Sequence, residues 1–233
     1  LTPGTPFEQQ LRAMARSDES LVGEADLEAH VADRMRRHRE PGEPFDVRRA
    51  NGRWIRVIDR RTAEGGTVAI RIDVSDLRRR ATVLTIVVET AQRLLVEPRW
   101  QPAVEEMMAR LGQALGLSRT MLGRNKIRPD GKIVQKDVFE WDAPGVERIL
   151  GNPAFEGFPI KDDAFQDWRL ARSRGETVFG IVDELDEGKR DWLGRQGVKS
   201  LIRVPVTVGG NWWGSVGFDH CREPHRFDLK RLP

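Results

Sequence analysis

Tyrosine is absent from this chain, cysteine occurs once, at Cys221, and histidine four times. These shortages exclude a disulfide framework, a multi-cysteine metal site and tyrosine-based catalysis. One free thiol suits a reducing compartment. An excess of one charge sign is missing too. Against 39 Lys and Arg stand 36 Asp and Glu in 233 residues, a formal net charge of +3. Both signs are spread along the whole chain, so no segment concentrates the positive field that a nucleic-acid partner requires. Long apolar runs are lacking: the most apolar short stretch is Val83–Val88, whereas a membrane span takes about 20 residues. No apolar segment follows a basic start as in a signal peptide, and the expected location is the cytoplasm. The chain starts at Leu1 without methionine and ends at Arg231-Leu232-Pro233, so it reads as cut from a longer protein. What the sequence has in quantity is tryptophan: seven residues, six of them after residue 99.

The first 40 residues read as two helices, one with a stripe of Phe7, Leu11 and Met14, the other with Leu27, Val31 and Met35 behind Asp26 as N-cap. The period then changes. Phe45–Arg49 and Trp54–Arg60 flank Asn51-Gly52, a hairpin signal because both residues tolerate positive φ. A turn at Glu64-Gly65-Gly66 leads into Thr67–Val74, where Val68, Ile70 and Ile72 alternate with smaller or polar residues. Together they predict a three-stranded antiparallel meander. From Ser75 to Pro98 the pattern is helical. Leu77, Ala81, Leu84, Val88, Ala91 and Leu95 follow heptad spacing, and so narrow a seam packs against another helix. Two readings stand: a dimeric coiled coil, or a helix packed along its own domain.

The remainder reads as one α+β domain. Val104, Met107, Met108, Leu111 and Leu115 form a broad apolar helix face closed by Gly116 as C-terminal cap. Arg119–Ile127 and Lys132–Glu140 are strands joined through Pro129-Asp130-Gly131. A helix over Asp163–Ser173, a strand over Thr177–Val182 and a helix over Gly188–Gln196 follow. Two strong strands, Lys199–Val206 and Trp212–Asp219, meet at Gly209-Gly210-Asn211.

The run Gln196-Gly197-Val198-Lys199-Ser200-Leu201-Ile202-Arg203-Val204-Pro205-Val206, followed by Gly210-Asn211-Trp212-Trp213-Gly214-Ser215-Val216-Gly217-Phe218-Asp219, resembles the end of a GAF domain. Asn152-Pro153, Gly157-Phe158-Pro159, Phe165 with Trp168, and Gly175-Glu176-Thr177-Val178 keep the order of bacterial sensor GAF domains. That resemblance implies an antiparallel sheet with flanking helices and a small-molecule pocket. The meander with Asn51-Gly52-Arg53-Trp54, then Asp73-Val74-Ser75-Asp76-Leu77, resembles the C-terminal half of a PAS domain and its exit motif. There Ser75 or Asp76 caps the outgoing helix. The implied organisation is a partial PAS-like domain over 1–74, a connecting signalling helix over 75–98 and a GAF domain over 99–233.

Candidate chemistry is sparse. His220, Cys221 and His225, near Asp219, are the one group of ligand-type side chains, but strand neighbours point to opposite faces, so no metal site is expected. A Cys221–His220 nucleophile meets the same objection. Asp191-Trp192-Leu193 before Gln196-Gly197-Val198 resembles the chromophore helix of phytochrome GAF domains. Gly188 and Lys189 stand where that motif has its Cys-His pair, so covalent bilin attachment by that route is not expected and the cofactor is unknown. The resemblance places Phe139, Trp141, Phe158, Phe165, Trp168, Phe179 and Trp192 around the pocket, with Arg203 the one cation in an apolar strand. The expected function is a non-enzymatic sensory fragment of a bacterial signalling protein. It binds an unidentified small molecule and relays the change through a dimeric helix to an output domain absent from this chain, a histidine kinase or a cyclic-di-nucleotide cyclase (a diguanylate cyclase) or phosphodiesterase. The alternatives are a ligand-free structural dimerisation domain and a small Cys-dependent enzyme.

Overall fold

A computed structural model describes residues 4–17, 24–49, 51–127, 129, 133–153, 155 and 164–226. The chain divides into two units, residues 1–81 and 82–233, and the boundary falls inside one helix.

In the first unit, helices α1 (Phe7–Ser17) and α2 (Glu24–Arg39) precede strands β1 (Phe45–Arg48), β2 (Trp54–Arg61) and β3 (Thr67–Asp73). The strands form an antiparallel sheet in the order β1-β2-β3, as the two turn signals predict. Among the described residues of this unit, Leu11, Val31, Val57 and Val74 are the buried apolar ones. Three local details differ from the sequence reading. α2 begins at Glu24, so Asp26 lies inside its first turn rather than at its cap. Only Gly52 of the Asn51-Gly52 pair has positive φ, 80°; Asn51 instead accepts the Arg53 N–H at 3.2 Å through its side chain, the Asx-turn alternative. At the exit motif the Asp73 carboxylate accepts the Ser75 N–H at 2.9 Å, and that bonding to Ser75 holds Asp73 below the usual carboxylate range. The Ser75 hydroxyl also accepts the Trp54 N–H at 2.8 Å.

Helix α3 (Ser75–Val96) crosses the boundary. The second unit continues with α4 (Gln101–Leu115), β4 (Arg119–Ile127), β5 (Ile133–Asp142), α5 (Gln166–Ser173), β6 (Val178–Ile181), a 3-10 turn at Val182–Glu184, α6 (Glu187–Arg195), β7 (Ser200–Val208) and β8 (Asn211–His220). Its sheet is antiparallel throughout, in the order β5-β4-β8-β7-β6. Gly116, at φ 66°, ends α4 in the left-handed conformation, as a capping glycine does. Asp130 and Gly131 of the expected β4–β5 turn, and Asp163 at the expected start of α5, lie outside the described residues.

Strand alternation gives this sheet two distinct faces. One is covered by α4: Thr120 donates its hydroxyl to the Met108 carbonyl at 3.2 Å, and a Cβ on Gly112 would come within 2.3 Å of the Trp141 ring. Gly112 is therefore what lets α4 approach β5. The other face carries Arg119, Met121, Asp219, Gly217, Leu201 and Arg203, set side by side by the β4–β8 and β7–β8 registers; α5 packs over it through Arg172, which bonds to Ser215.

Candidate functional site

The α5-side face is laid with charge. Arg119, 1% exposed, lies between three carboxylates: Asp142 at 2.9 Å, Glu140 at 3.1 Å and Asp219 at 3.7 Å. Glu140 also accepts the backbone N–H groups of Ile149 at 2.9 Å and Leu150 at 2.5 Å, pinning the segment after β5. Burial, with Glu140 alongside, pushes the Asp142 carboxyl up to about 6. Arg203 forms a two-pronged pair with Asp219, at 2.5 and 3.2 Å. The one cation of this apolar strand thus has a carboxylate partner on the neighbouring strand. Gly217 makes room for it, since a Cβ there would meet the Arg203 side chain at 2.9 Å and Met121 at 2.6 Å.

Two β-bulges extend this face. Leu122 pairs with Phe139 but Gly123 pairs with Asp137, so Val138 is an extra residue. Val206 pairs with Gly214 and Thr207 with Trp212, so Trp213 is another. An extra residue inverts the alternation beyond it. Asp137 and Gln135 thus share a face with Arg119 and Gly123, and Trp212 joins them. Burial pushes the Asp137 carboxyl up to about 6, with Arg203 pulling the other way. Arg172 on α5 then reaches down to this floor. It is 8% exposed, donates to Gln135 Oε1 at 2.7 Å and to Ser215 Oγ at 3.3 Å, and lies 5.3 Å from the Trp212 ring centroid. Burial, then Arg203 and Arg169, lowers its pKa to about 10, which leaves it protonated at neutral pH.

The residues assigned to a pocket from the sequence distribute over both faces. Phe165, Trp168 and Trp192 pack together against the core of Val182, Leu193, Val198 and Leu201 on the α5–α6 side, and Arg203 shares the Leu201 face by register. Trp141 packs on α4 instead. Phe139 and Phe179 take the same side as Trp141, because their partners Leu122 and Ile202 alternate with Met121 and Leu201. Phe158 lies outside the described residues. Sequence reasoning missed Arg172, Asp137, Gln135 and Arg119. Charged residues inside predicted strands were a signal for Arg119 and Asp137, and nothing local distinguishes Arg172.

At the end of β8, the Cys221 thiol is pushed up by burial, the opposite of what a thiolate nucleophile needs. The His220 and His225 rings lie 4.9 Å apart, and burial lowers the His220 pKa. Among the described residues no three His, Cys, Asp or Glu side chains converge as metal donors. Lys189, at one of the two positions matched to the bilin-attachment pair, is buried and bonded to Asp167 at 2.9 Å and Asp186 at 3.1 Å. It ties α6 to the start of α5.

The GAF domain family model matches residues 99–232 and the PAS fold model residues 1–82. The methanogenesis regulatory histidine kinase FilI of Methanothrix harundinacea (strain 6Ac) is 28% identical over 163 residues, 67% of this chain and 18% of that protein. An uncharacterized protein of Azorhizobium caulinodans is 28% identical over 129 residues, 52% of this chain and 17% of that one. The chain thus spans less than a fifth of the length of these relatives. The crystal structure of a phycoerythrobilin-bound GAF domain from a cyanobacterial phytochrome aligns at a TM-score of 0.51 with 16% identity, covering 65% of this chain and 87% of that one. That likeness is one of fold. Among the described residues, no helix is long and apolar enough to cross a membrane.

Proposed function

The chain belongs to the GAF domain family through residues 99–232, with a PAS-fold segment at residues 1–82, and on that premise we propose that it is the sensory part of a signal-transduction protein that binds a small molecule on the α5-side face of the GAF sheet and relays the change through α3 in a dimer. The observation that carries the relay is the state of α3. All six heptad positions, Leu77, Ala81, Leu84, Val88, Ala91 and Leu95, are exposed, with Leu95 at 86%, while Ile86 and Thr90 on another side of the helix are buried. A helix that hides one stripe in its own chain and presents a second at heptad spacing has a seam to offer another helix. Ligand binding shifts such a dimer only by its differential affinity for the two arrangements. The similarity to FilI favours a histidine kinase as the output over a cyclic-di-nucleotide enzyme, with the sensor in the cytoplasm.

Two measurements test this reading. Light scattering should give a dimer, and Leu84→Glu with Val88→Glu should convert it to a monomer without changing its helical content; a wild-type monomer at high concentration overturns the dimer. A thermal-shift screen of nucleotides, amino acids and organic acids should find at least one stabilising compound. A ligand at 100 times its Kd adds about 2.7 kcal/mol. No shift across the library overturns ligand sensing in favour of a structural dimerisation domain.

A further inference from the structure

We infer that Arg172 recognises the anionic group of the ligand, and that this ligand is a small monocarboxylate with an apolar body; the inference rests on the ligand-sensing reading above and narrows it. Three arginines stand on or over the α5-side face, and they are not alike. Arg119 has Asp142, Glu140 and Asp219, and Arg203 has Asp219. Arg172 is buried just as a paired cation would be, at 8% exposure, yet its partners are all neutral: the Trp168 carbonyl at 3.3 Å, Gln135 Oε1 at 2.7 Å and Ser215 Oγ at 3.3 Å. Among the described residues it forms no ion pair, and its Nη2 has no hydrogen-bond partner. A buried cation without a counter-charge is costly, and here two bulges and a helix cooperate to hold one in place. Neutral acceptors orient the guanidinium without quenching it. Only Nη2 is left with both of its N–H groups to donate, a charge-assisted donor for a carboxylate oxygen.

The neighbouring charges set the valence. Asp219 is shared by Arg119 and Arg203, while Asp137 forms no ion pair among the described residues and acts on Arg172 only from a distance, so Arg172 has no direct counter-charge and a carboxylate already stands nearby. A monoanion balances Arg172, whereas a phosphate dianion would place a second negative charge beside Asp137. The body of the ligand follows from α5 itself. Trp168 lies one turn before Arg172, edge-on to Phe165 at 5.6 Å, and both pack on the apolar α6 core. A group held at Arg172 therefore has aromatic side chains along the same helix to lie against.

The test is titration calorimetry on the intact chain with acetate, phenylacetate and indole-3-acetate, each beside its neutral amide, and with inorganic phosphate. The expected result is an aromatic carboxylate bound about tenfold or more tightly than its amide, the preference that loss of a charge-assisted bond predicts. In Arg172→Met that preference should vanish. The acid–amide contrast in the wild type stands by itself should the variant not fold. Equal binding of acid and amide, or an acid preference that survives in Arg172→Met, overturns the role of Arg172 and leaves ligand sensing intact. Arg172-dependent binding of phosphate with no carboxylate binding overturns the monocarboxylate. Absence of any carboxylate binding alongside a stabilising neutral compound in the thermal-shift screen overturns this inference alone, and silence in both experiments overturns the sensing reading with it.

Discussion

Each of the two units buries an arginine beside carboxylate, and they treat it in opposite ways. In the second unit Arg119 reaches Asp142 at 2.9 Å and Glu140 at 3.1 Å, and donates further to the carbonyls of Glu147 at 2.5 Å and Gln196 at 3.4 Å. In the first unit Arg34 stands 3.6 Å from Asp59, both about 5% exposed. There Arg34 Nη1 and Nη2, both Asp59 oxygens and the nearby His38 Nδ1 are all buried without a hydrogen bond. The attraction Arg34 finds comes from Asp59 without a hydrogen bond, from Asp33 and from the Phe45 ring, 4.8 Å away. Burial lowers its pKa, with Asp59 opposing. Around Arg119, Asp142 Oδ2 is the one carboxylate oxygen buried without a hydrogen bond among the described residues; charge buried with most of its hydrogen bonds made organises a structure, whereas charge buried without them is a standing cost. The difference teaches where rigidity lies in this protein. The Arg119 cluster ties β4, β5, β8, the segment after β5 and the end of α6 into one network, and the Arg34 pair ties only α2 to β2.

Three experiments would break or sharpen that contrast. The largest effect is expected for Arg119→Met, which strands Asp142 and takes a counter-charge from Glu140 and Asp219 and should cost about 3–5 kcal/mol. Urea unfolding followed by tryptophan fluorescence reads it, because six of the seven tryptophans follow residue 99. Replacing the other pair outright, as Arg34→Met with Asp59→Leu, should leave the first unit unchanged or stabilised by about 1–4 kcal/mol, measured by hydrogen exchange of the β2 amides. A loss as large as that of Arg119→Met would show that the contrast is false. The smallest effect concerns Asp137. Its carboxyl, raised to about 6 by burial, holds its proton more tightly folded than unfolded. Its contribution to stability is therefore complete below pH 4 and is lost as the pH rises through 6. Asp137→Asn should flatten that part of the profile and stabilise the second unit at pH 8 by about 1–3 kcal/mol. Equal destabilisation at pH 5 and pH 8 would instead make Asp137 a structural acceptor.

Local features of the fold were legible in advance. The meander, the Gly116 cap and α3 each depend on spacing within a few residues. The order of the GAF motifs was equally readable as a pattern. The grouping of aromatic residues was not. Trp141, Phe139 and Phe179 stand beside pocket segments along the chain, yet their registers turn them toward the α4 side. Val68, Ile70 and Ile72 show a similar limit: their alternation correctly marks a strand, and their face is nearly half exposed. Period two says that two faces exist and is silent on which of them a helix will cover.

By itself the sequence determined the elements, their turns, the heptad stripe of α3 and the exclusion of disulfide and multi-cysteine chemistry, because each follows from residue type and short-range period. Tertiary structure alone decided which charges meet. Val138 and Trp213 become bulge residues only through their register with the hairpin partners β4 and β7, and those two extra residues turn Gln135, Asp137 and Trp212 onto the face where α5 lowers Arg172. A paired arginine and an unpaired one read alike in a sequence. Only the packing of a helix over a bulged sheet distinguishes them, since strand register sets the counter-charges of Arg119 and Arg203 and helix packing gives Arg172 neutral partners.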